Sequence, residues 1–214
     1  MDTLAYVLEK YQISTWKAPM PVEIPDMDRG RLARLFGELG FREGAEIGVE
    51  EGKYSELLCK RVPGLKLHCV DPWLAYKSYR EHLDQPYIDK LYDNCVQRLT
   101  PYGCDIIRKT SVEAASDIPD GSLDFVYIDG NHRFEYLVAD LAAWTPKVRP
   151  GGIVSGHDWI RMSHRVNLNN NPVHVMWVLP GWTSAYRIKP WFVLGSNQRE
   201  IRRDVARSWF WVQP

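Results

Sequence analysis

Short apolar runs and amphipathic stretches alternate through most of this chain. Residues 45–49 form an apolar run closed by a glycine turn, and the amphipathic stretch 54–61 follows. A second strand is predicted over 65–70, ending at Asp71-Pro72. The stretch 76–99 reads as helical, with Pro86 kinking or dividing it. Strands are then predicted at 105–107, at 123–128 (LDFVYI) and at 152–155, the last after the Pro150-Gly151-Gly152 turn, with a helix over 134–144. Upstream, 2–13 and 28–39 read as helices; Asp28 caps the second and Gly40 ends it. Downstream, 173–179 fits a strand or a helix equally well, 188–194 a final strand, and 197–209 a terminal helix.

Strands alternating with helices at this spacing imply βαβ units and a parallel sheet covered on both faces. The near-continuous apolar character of 123–128 suits a strand buried on both sides. The expected fold class is therefore α/β, a Rossmann-like, doubly wound, mostly parallel sheet with extra N-terminal helices. One domain is expected: a helical cap over 1–40, a ligand-binding core over 41–160, and a substrate loop with C-terminal strands and helix over 161–214. In such sheets ligands bind beyond the carboxyl ends of the strands. That rule selects residues 48–52, Asp71, Thr110-Ser111, residues 129–132 and His157-Asp158.

Composition removes several function classes. Lys plus Arg and Asp plus Glu are both 27, so net charge is zero and a nucleic-acid partner is not expected. The N-terminus is too polar for a secretory leader, and no apolar run reaches membrane-span length. The four cysteines make no CxxC pair and have no metal-ligand spacing, so they read as reduced, small hydrophobes. A soluble, cytoplasmic protein is expected, with no membrane partner. The nine tryptophans read mainly as core packing.

Glu46, Gly48 and Gly52 form the pattern E-x-G-x-x-x-G between a strand and a helix. Gly48 allows a tight turn, and Gly52 allows close backbone approach to a ligand. A dinucleotide fingerprint would need G-x-G-x-x-G, and Glu50 and Glu51 would repel a pyrophosphate. An acidic turn instead suits a ligand carrying an amino group or a sulfonium. Asp71, about twenty residues beyond, lies where an acid accepts hydrogen bonds from both ribose hydroxyls of an adenosine-containing ligand. Ser111 and Val112 follow the third strand, where an adenine would lie.

Asp129 and Asp158 follow the fourth and fifth strands, with His157 beside the latter. Buried strand-end carboxylates are costly unless hydrated, paired or bound to a cation. Asp129, His157 and Asp158 could therefore hold a divalent metal; oxygen ligands favour Mg²⁺ or Ca²⁺, and an imidazole ligand moves the preference toward Mn²⁺ or Fe²⁺. The alternative is that both acids cap the segments that follow. His132, three residues after Asp129, suits a general base that takes a proton from a hydroxyl.

The segments AEIGVEEGKYS at 45–55, HCVDPW at 68–73, and LDFVYIDGNHRFEYLVADLAAWTPKVRPGGIVSGHDW at 123–159 resemble small class I S-adenosylmethionine-dependent methyltransferases. The likeness covers roughly 41–160 and is closest to the bacterial metal-dependent O-methyltransferase branch, which includes sugar and natural-product enzymes. It implies that Gly48 and Gly52 lie under the methionine part of S-adenosylmethionine, with Glu46 supporting the turn or the cofactor amine. Asp71 would hold the ribose, and Ser111 and Val112 would flank the adenine. Asp129 would serve cofactor, metal and catalysis together; Asp158 would be the second metal ligand, for Mg²⁺ or Mn²⁺, and His132 the base. His157 stands where that branch often has an acid. The implied reaction moves a methyl group to a hydroxyl of a small molecule or sugar, and a homo-oligomer is left open. The N-terminal helices, the 73–79 segment with Trp73, and the 161–171 loop could border the acceptor, and Trp159, Arg161 and Arg165 could contact it. A nicotinamide-dependent oxidoreductase and a non-catalytic cofactor-binding module are the competing readings.

Overall fold

The computed structural model describes residues 2–14, 19–76, 83–160, 172–195 and 206–214. Trp16, His82, Arg161, His164, Arg165, Arg199, Arg202, Arg203 and the 161–171 loop lie outside these residues. In chain order the elements are α1 (Thr3–Lys10), β1 (Val22–Ile24), α2 (Arg29–Glu38), β2 (Glu43–Ile47), α3 (Lys53–Arg61), β3 (Lys66–Val70) and α4 (Gln85–Leu99). They continue with β4 (Asp105–Ile107), α5 (Ser111–Ala115), β5 (Leu123–Ile128), α6 (Phe134–Trp144), β6 (Val148–Trp159), α7 (Val175–Ala185), β7 (Trp191–Leu194) and β8 (Arg207–Val212).

The described strands form one sheet in the order β1-β7-β8-β6-β5-β2-β3-β4. From β4 across to β6 every pairing is parallel; β8 runs antiparallel to both β6 and β7, and β1 lies parallel to β7 at the edge. The chain winds outward from β2 through β3 to β4, then returns to place β5 on the other side of β2. The switch point thus falls between β2 and β5, whose carboxyl ends open the crevice for a ligand.

Period-two alternation places Phe125 and Tyr127 with α2, α3 and α4 residues on one face of the sheet. Val126 and Ile128 join α6 and α7 residues on the other. Phe125 stacks on Phe36 with ring centres 4.2 Å apart, and this is possible because position 44 is glycine. A Cβ on Gly44 would stand 2.4 Å from the Phe125 ring. Burying a side chain of this size stabilises the fold by about 1.5–3 kcal/mol, so the pair anchors β5 beside β2.

Several boundaries differ from expectation. Pro86 does not divide a helix; it sits in the first turn of α4, where its missing N–H costs nothing, behind an Asp84 side chain that caps Tyr87 N at 3.0 Å. The fifth predicted strand extends to Trp159 as β6. The ambiguous run after 173 is helix α7, and β1 had no strand signal of useful length. The described part of the predicted terminal helix, from Arg207, is strand β8. Its buried residues Ser208, Trp209, Phe210 and Trp211 face both core layers, a tertiary demand that overrides the helical charge pattern upstream. α1 packs toward the opposite end of the sheet from the crevice, with Thr3 Oγ1 donating to Gly151 O at 2.6 Å, so it does not border the site.

Candidate active site

Gly48 sits at the switch point with φ +88°, and a Cβ there would meet Asp129 O at 2.2 Å. The glycine therefore serves the close approach of the β2 and β5 ends as well as the turn. Asp71, at the end of β3, ties the next residues down: its Oδ2 accepts from Val49 N at 3.0 Å and Glu50 N at 3.1 Å. Its Oδ1 accepts from Trp73 N at 2.9 Å, and Trp73 Nε1 donates to Glu50 O at 2.9 Å. Glu50 and Trp73 both adopt positive φ, a strained conformation for non-glycine residues that these bonds hold in place.

Beside this turn lies a cavity of about 350 Å³, walled by apolar side chains such as Val70, Trp73 and Leu91. Its polar lining includes Asp71, Thr110, Ser111, Asn131 and Asp140. Ser111 Oγ accepts from Trp144 Nε1 at 2.8 Å. Val112 is 54% exposed and outside this lining. Gly52, the left-handed residue before α3, turns its bare side to Leu99 and Cys95, 3.1–3.3 Å from a built Cβ. Its smallness serves helix packing and leaves no contact with the cavity.

A second, polar cavity of about 220 Å³ lies across Gly48, lined by Arg29, Glu46, Glu50, Glu51, Tyr54 and Asp129 among others. Glu46 is 2% exposed and accepts a hydrogen bond from Ser55 Oγ. Burial pushes its carboxyl up to about 8, against the Ser55 hydrogen bond and with help from the Asp129 charge. The guanidinium of Arg29 lies 5.6 Å over the Tyr54 ring.

At the ends of β5 and β6 the acids and histidines converge. His132 Nε2 lies 3.0 Å from Asp158 Oδ2 and 3.3 Å from Asp129 Oδ1. Burial alone would lower its pKa, but hydrogen bonds and charge from both carboxylates outweigh it and raise it to about 10. His157 Nδ1 lies 3.0 Å from Asp158 Oδ1, and its buried Nε2 has no hydrogen-bond partner among the described residues. The two imidazoles in turn hold the Asp158 carboxyl well below its usual range, despite its burial. Asp158 reaches the cluster through a β-bulge between Gly156 and Trp159, where its φ is +59°. Trp209 of β8 supports that bulge by donating Nε1–H to His157 O at 2.8 Å.

One ligand atom each from Asp129, His132 and Asp158 lies within 4.8 Å of the others. The expected metal set was Asp129, His157 and Asp158; the structure adds His132 to the two acids, and His157 Nδ1 stays 3.7 Å from Asp129 Oδ1 and 3.0 Å from Asp158 Oδ1. Arg29 and Asp140 were not assigned from sequence, and Trp73, expected at the acceptor, lines the larger cavity beside Asp71. Arg29 and Asp140 come from helices whose packing no local motif encodes, whereas Trp73 directly follows Asp71-Pro72 at the strand end.

Residues 45–159 match the family model described as a methyltransferase domain. The chain belongs to that family. An uncharacterised protein, y4gI, from Sinorhizobium fredii is 42% identical over 123 residues, which cover 55% of this chain. This chain spans 13% of that relative's length. Cofactor-bound Rv0187 from MTB superposes with a TM-score of 0.60 at 16% identity, over 99% of this chain and 89% of that one. An O-methyltransferase from Bacillus cereus in complex with SAH gives 0.56 at 17% identity, over 99% and 91%. The α/β fold is that of class I S-adenosylmethionine-dependent methyltransferases. Among the described residues no helix is long and apolar enough to cross a membrane.

Proposed function

We propose that this protein transfers a methyl group from S-adenosylmethionine to a hydroxyl of a small molecule or sugar. The observation that carries this reading is the Asp129–His132–Asp158 group, whose Asp129 also lines the acidic pocket of Glu46 beside Gly48. The methionine ammonium of the cofactor would enter that pocket, where Glu46, Glu50 and Asp129 offer carboxylates. The adenosine would fill the larger cavity, with Asp71 at the ribose and Ser111 near the base. Family membership and the cofactor-bound relatives support this placement.

Methyl transfer is an in-line displacement at carbon: the acceptor oxygen forms a bond to the methyl as the sulfonium leaves, and the acceptor proton must go. The protein aligns the centres and excludes water. His132 is the proton acceptor in this reading. Between two carboxylates its imidazole stays protonated in the ligand-free enzyme. An acceptor hydroxyl that donates its hydrogen bond to one of the two carboxylates weakens that carboxylate's hold on the imidazolium; the imidazolium then gives its proton to water, and the neutral imidazole is the base that takes the acceptor proton.

Two carboxylates and an imidazole form a donor set that fits Mg²⁺ or Mn²⁺. Asp129 and Asp158 would hold such an ion, with the His157 imidazole, whose Nδ1 lies 3.7 and 3.0 Å from their oxygens, completing the set where His132 serves as the base. When bound it would orient the acceptor hydroxyl and lower its pKa. The test is methyl transfer from labelled S-adenosylmethionine to a panel of sugar and phenolic hydroxyls, with Mg²⁺, Mn²⁺ or chelator. His132→Ala should bind S-adenosylhomocysteine yet lose turnover; full turnover in that variant rejects the assignment.

A further inference from the structure

Asp140 has no part in the chemistry described so far, yet it is a carboxylate only 5% exposed on a helix packed against the sheet. Among the described residues no Lys, Arg or His lies within ion-pair distance of it. Its side chain lines the larger cavity beside Ser111, whose hydroxyl offsets part of the burial that pushes the Asp140 carboxyl up to about 6. Because Ser111 Oγ already accepts from Trp144 Nε1, its own hydroxyl hydrogen is free to point at Asp140. That uses one of about four lone-pair positions on the carboxylate. Gly130 keeps the neighbouring wall low, since a Cβ there would stand 3.6 Å from Asp140 Oδ2. A buried carboxylate so sparsely satisfied is costly by itself and is relieved by a ligand N–H.

The other walls say what kind of N–H donor fits. Ile47, Val70, Trp73, Ile88 and Leu91 make the cavity apolar, which suits a flat ring and opposes a hydrated ammonium. We propose that Asp140 reads the base of the cofactor: it accepts a hydrogen bond from the exocyclic amine of adenine and selects a 6-aminopurine over a 6-oxopurine. This rests on the cofactor placement proposed above. A 6-oxo group would set acceptor against acceptor at a buried site, the mismatch that sites built from hydrogen bonds reject most strongly.

Calorimetric titration of the full chain with S-adenosylhomocysteine and S-inosylhomocysteine tests this. The unaltered protein should prefer the adenosyl compound by about 100-fold or more. In Asp140→Asn the amide can donate to the 6-oxo group, and the preference should fall below about tenfold or reverse. Should that variant not fold, Asp140→Glu keeps the acceptor and must retain a preference above about tenfold. Equal binding of both compounds by the unaltered protein, an undiminished preference in a folded Asp140→Asn, or a lost preference in Asp140→Glu overturns the proposal. If the unaltered protein binds neither compound nor S-adenosylmethionine, the cofactor placement itself fails, a result distinct from binding without discrimination.

Discussion

The carboxylate of Asp71 reaches from the end of β3 to the backbone of Val49, one strand over, and accepts its N–H at 3.0 Å. A residue expected to hold a ribose is thus also the clamp on the neighbouring turn. Asp71→Ala should weaken S-adenosylhomocysteine binding by at least about tenfold and lower unfolding stability by about 1–3 kcal/mol, as the Val49 and Glu50 N–H groups lose their partner. Calorimetry and denaturant unfolding read the two effects separately. Lost affinity with unchanged stability would leave the ligand role and remove the clamp.

Gly48→Ala should be among the worst single substitutions in the chain. The added methyl meets Asp129 O at 2.2 Å, at a φ of +88°. Overpacking plus left-handed strain should cost about 2–4 kcal/mol and abolish cofactor binding. Gly40→Ala shares the positive φ but meets nothing within 4 Å, so its cost should stay near 1 kcal/mol, roughly the left-handed penalty alone. Equal losses in the two variants would show that backbone conformation, and not the β2–β5 approach, dominates at position 48.

Glu46 should make the ligand-free protein less stable as pH rises. Its carboxyl lies at about 8 when folded against an ordinary 4.5, so the folded state holds the proton more tightly. The contribution is fully present below about pH 4.5 and is lost as pH rises toward 8. Across that window it amounts to a few kcal/mol. Glu46→Gln should flatten this slope in urea unfolding series and be the more stable protein at pH 8. A parallel pair of pH profiles would show that Glu46 is ionised in the fold.

His132 sets the opposite kind of test, on rate. A base must be neutral, and the flanking carboxylates hold this imidazole protonated up to about pH 10. kcat/KM for the acceptor should therefore keep rising above pH 8 when chelator is present, since that parameter reports the free enzyme. Added Mg²⁺ or Mn²⁺, by drawing on Asp129 and Asp158, should move the rise to lower pH. A profile flat from pH 6 to 10 under both conditions would take His132 out of proton transfer.

Much of the core was legible because its signals are local. The run 123–128, the turn at Gly48 and the capped start of α2 each carry their own pattern, and strand-end position alone pointed to Asp71, Asp129 and Asp158. What was not legible depends on contacts between distant segments. Asp140 looks like one more polar position on an amphipathic helix until α6 is laid beside Ser111. Arg29 looks like a solvated helix start until Tyr54 and Glu46 are placed near it. Residues 207–209 read as the end of a helix because the charges before them recur with helical spacing, while the sheet takes RSWFWV as a buried strand. His132 was read with an ordinary imidazole pKa; only the fold brings two carboxylates to it.

β8 comes after both β6 and β7 in the chain but lies between them in the sheet. Until residues 207–212 have been synthesised, β6 and β7 have no partner to join them, and each presents an open edge. Such edges are aggregation-prone in a nascent chain. The bulge that carries Asp158 also waits for this strand, because Trp209 supplies its hydrogen bond. β8 is a keystone in the order of assembly: a nascent chain can hold a finished turn at Gly48 and still lack a finished acid at position 158.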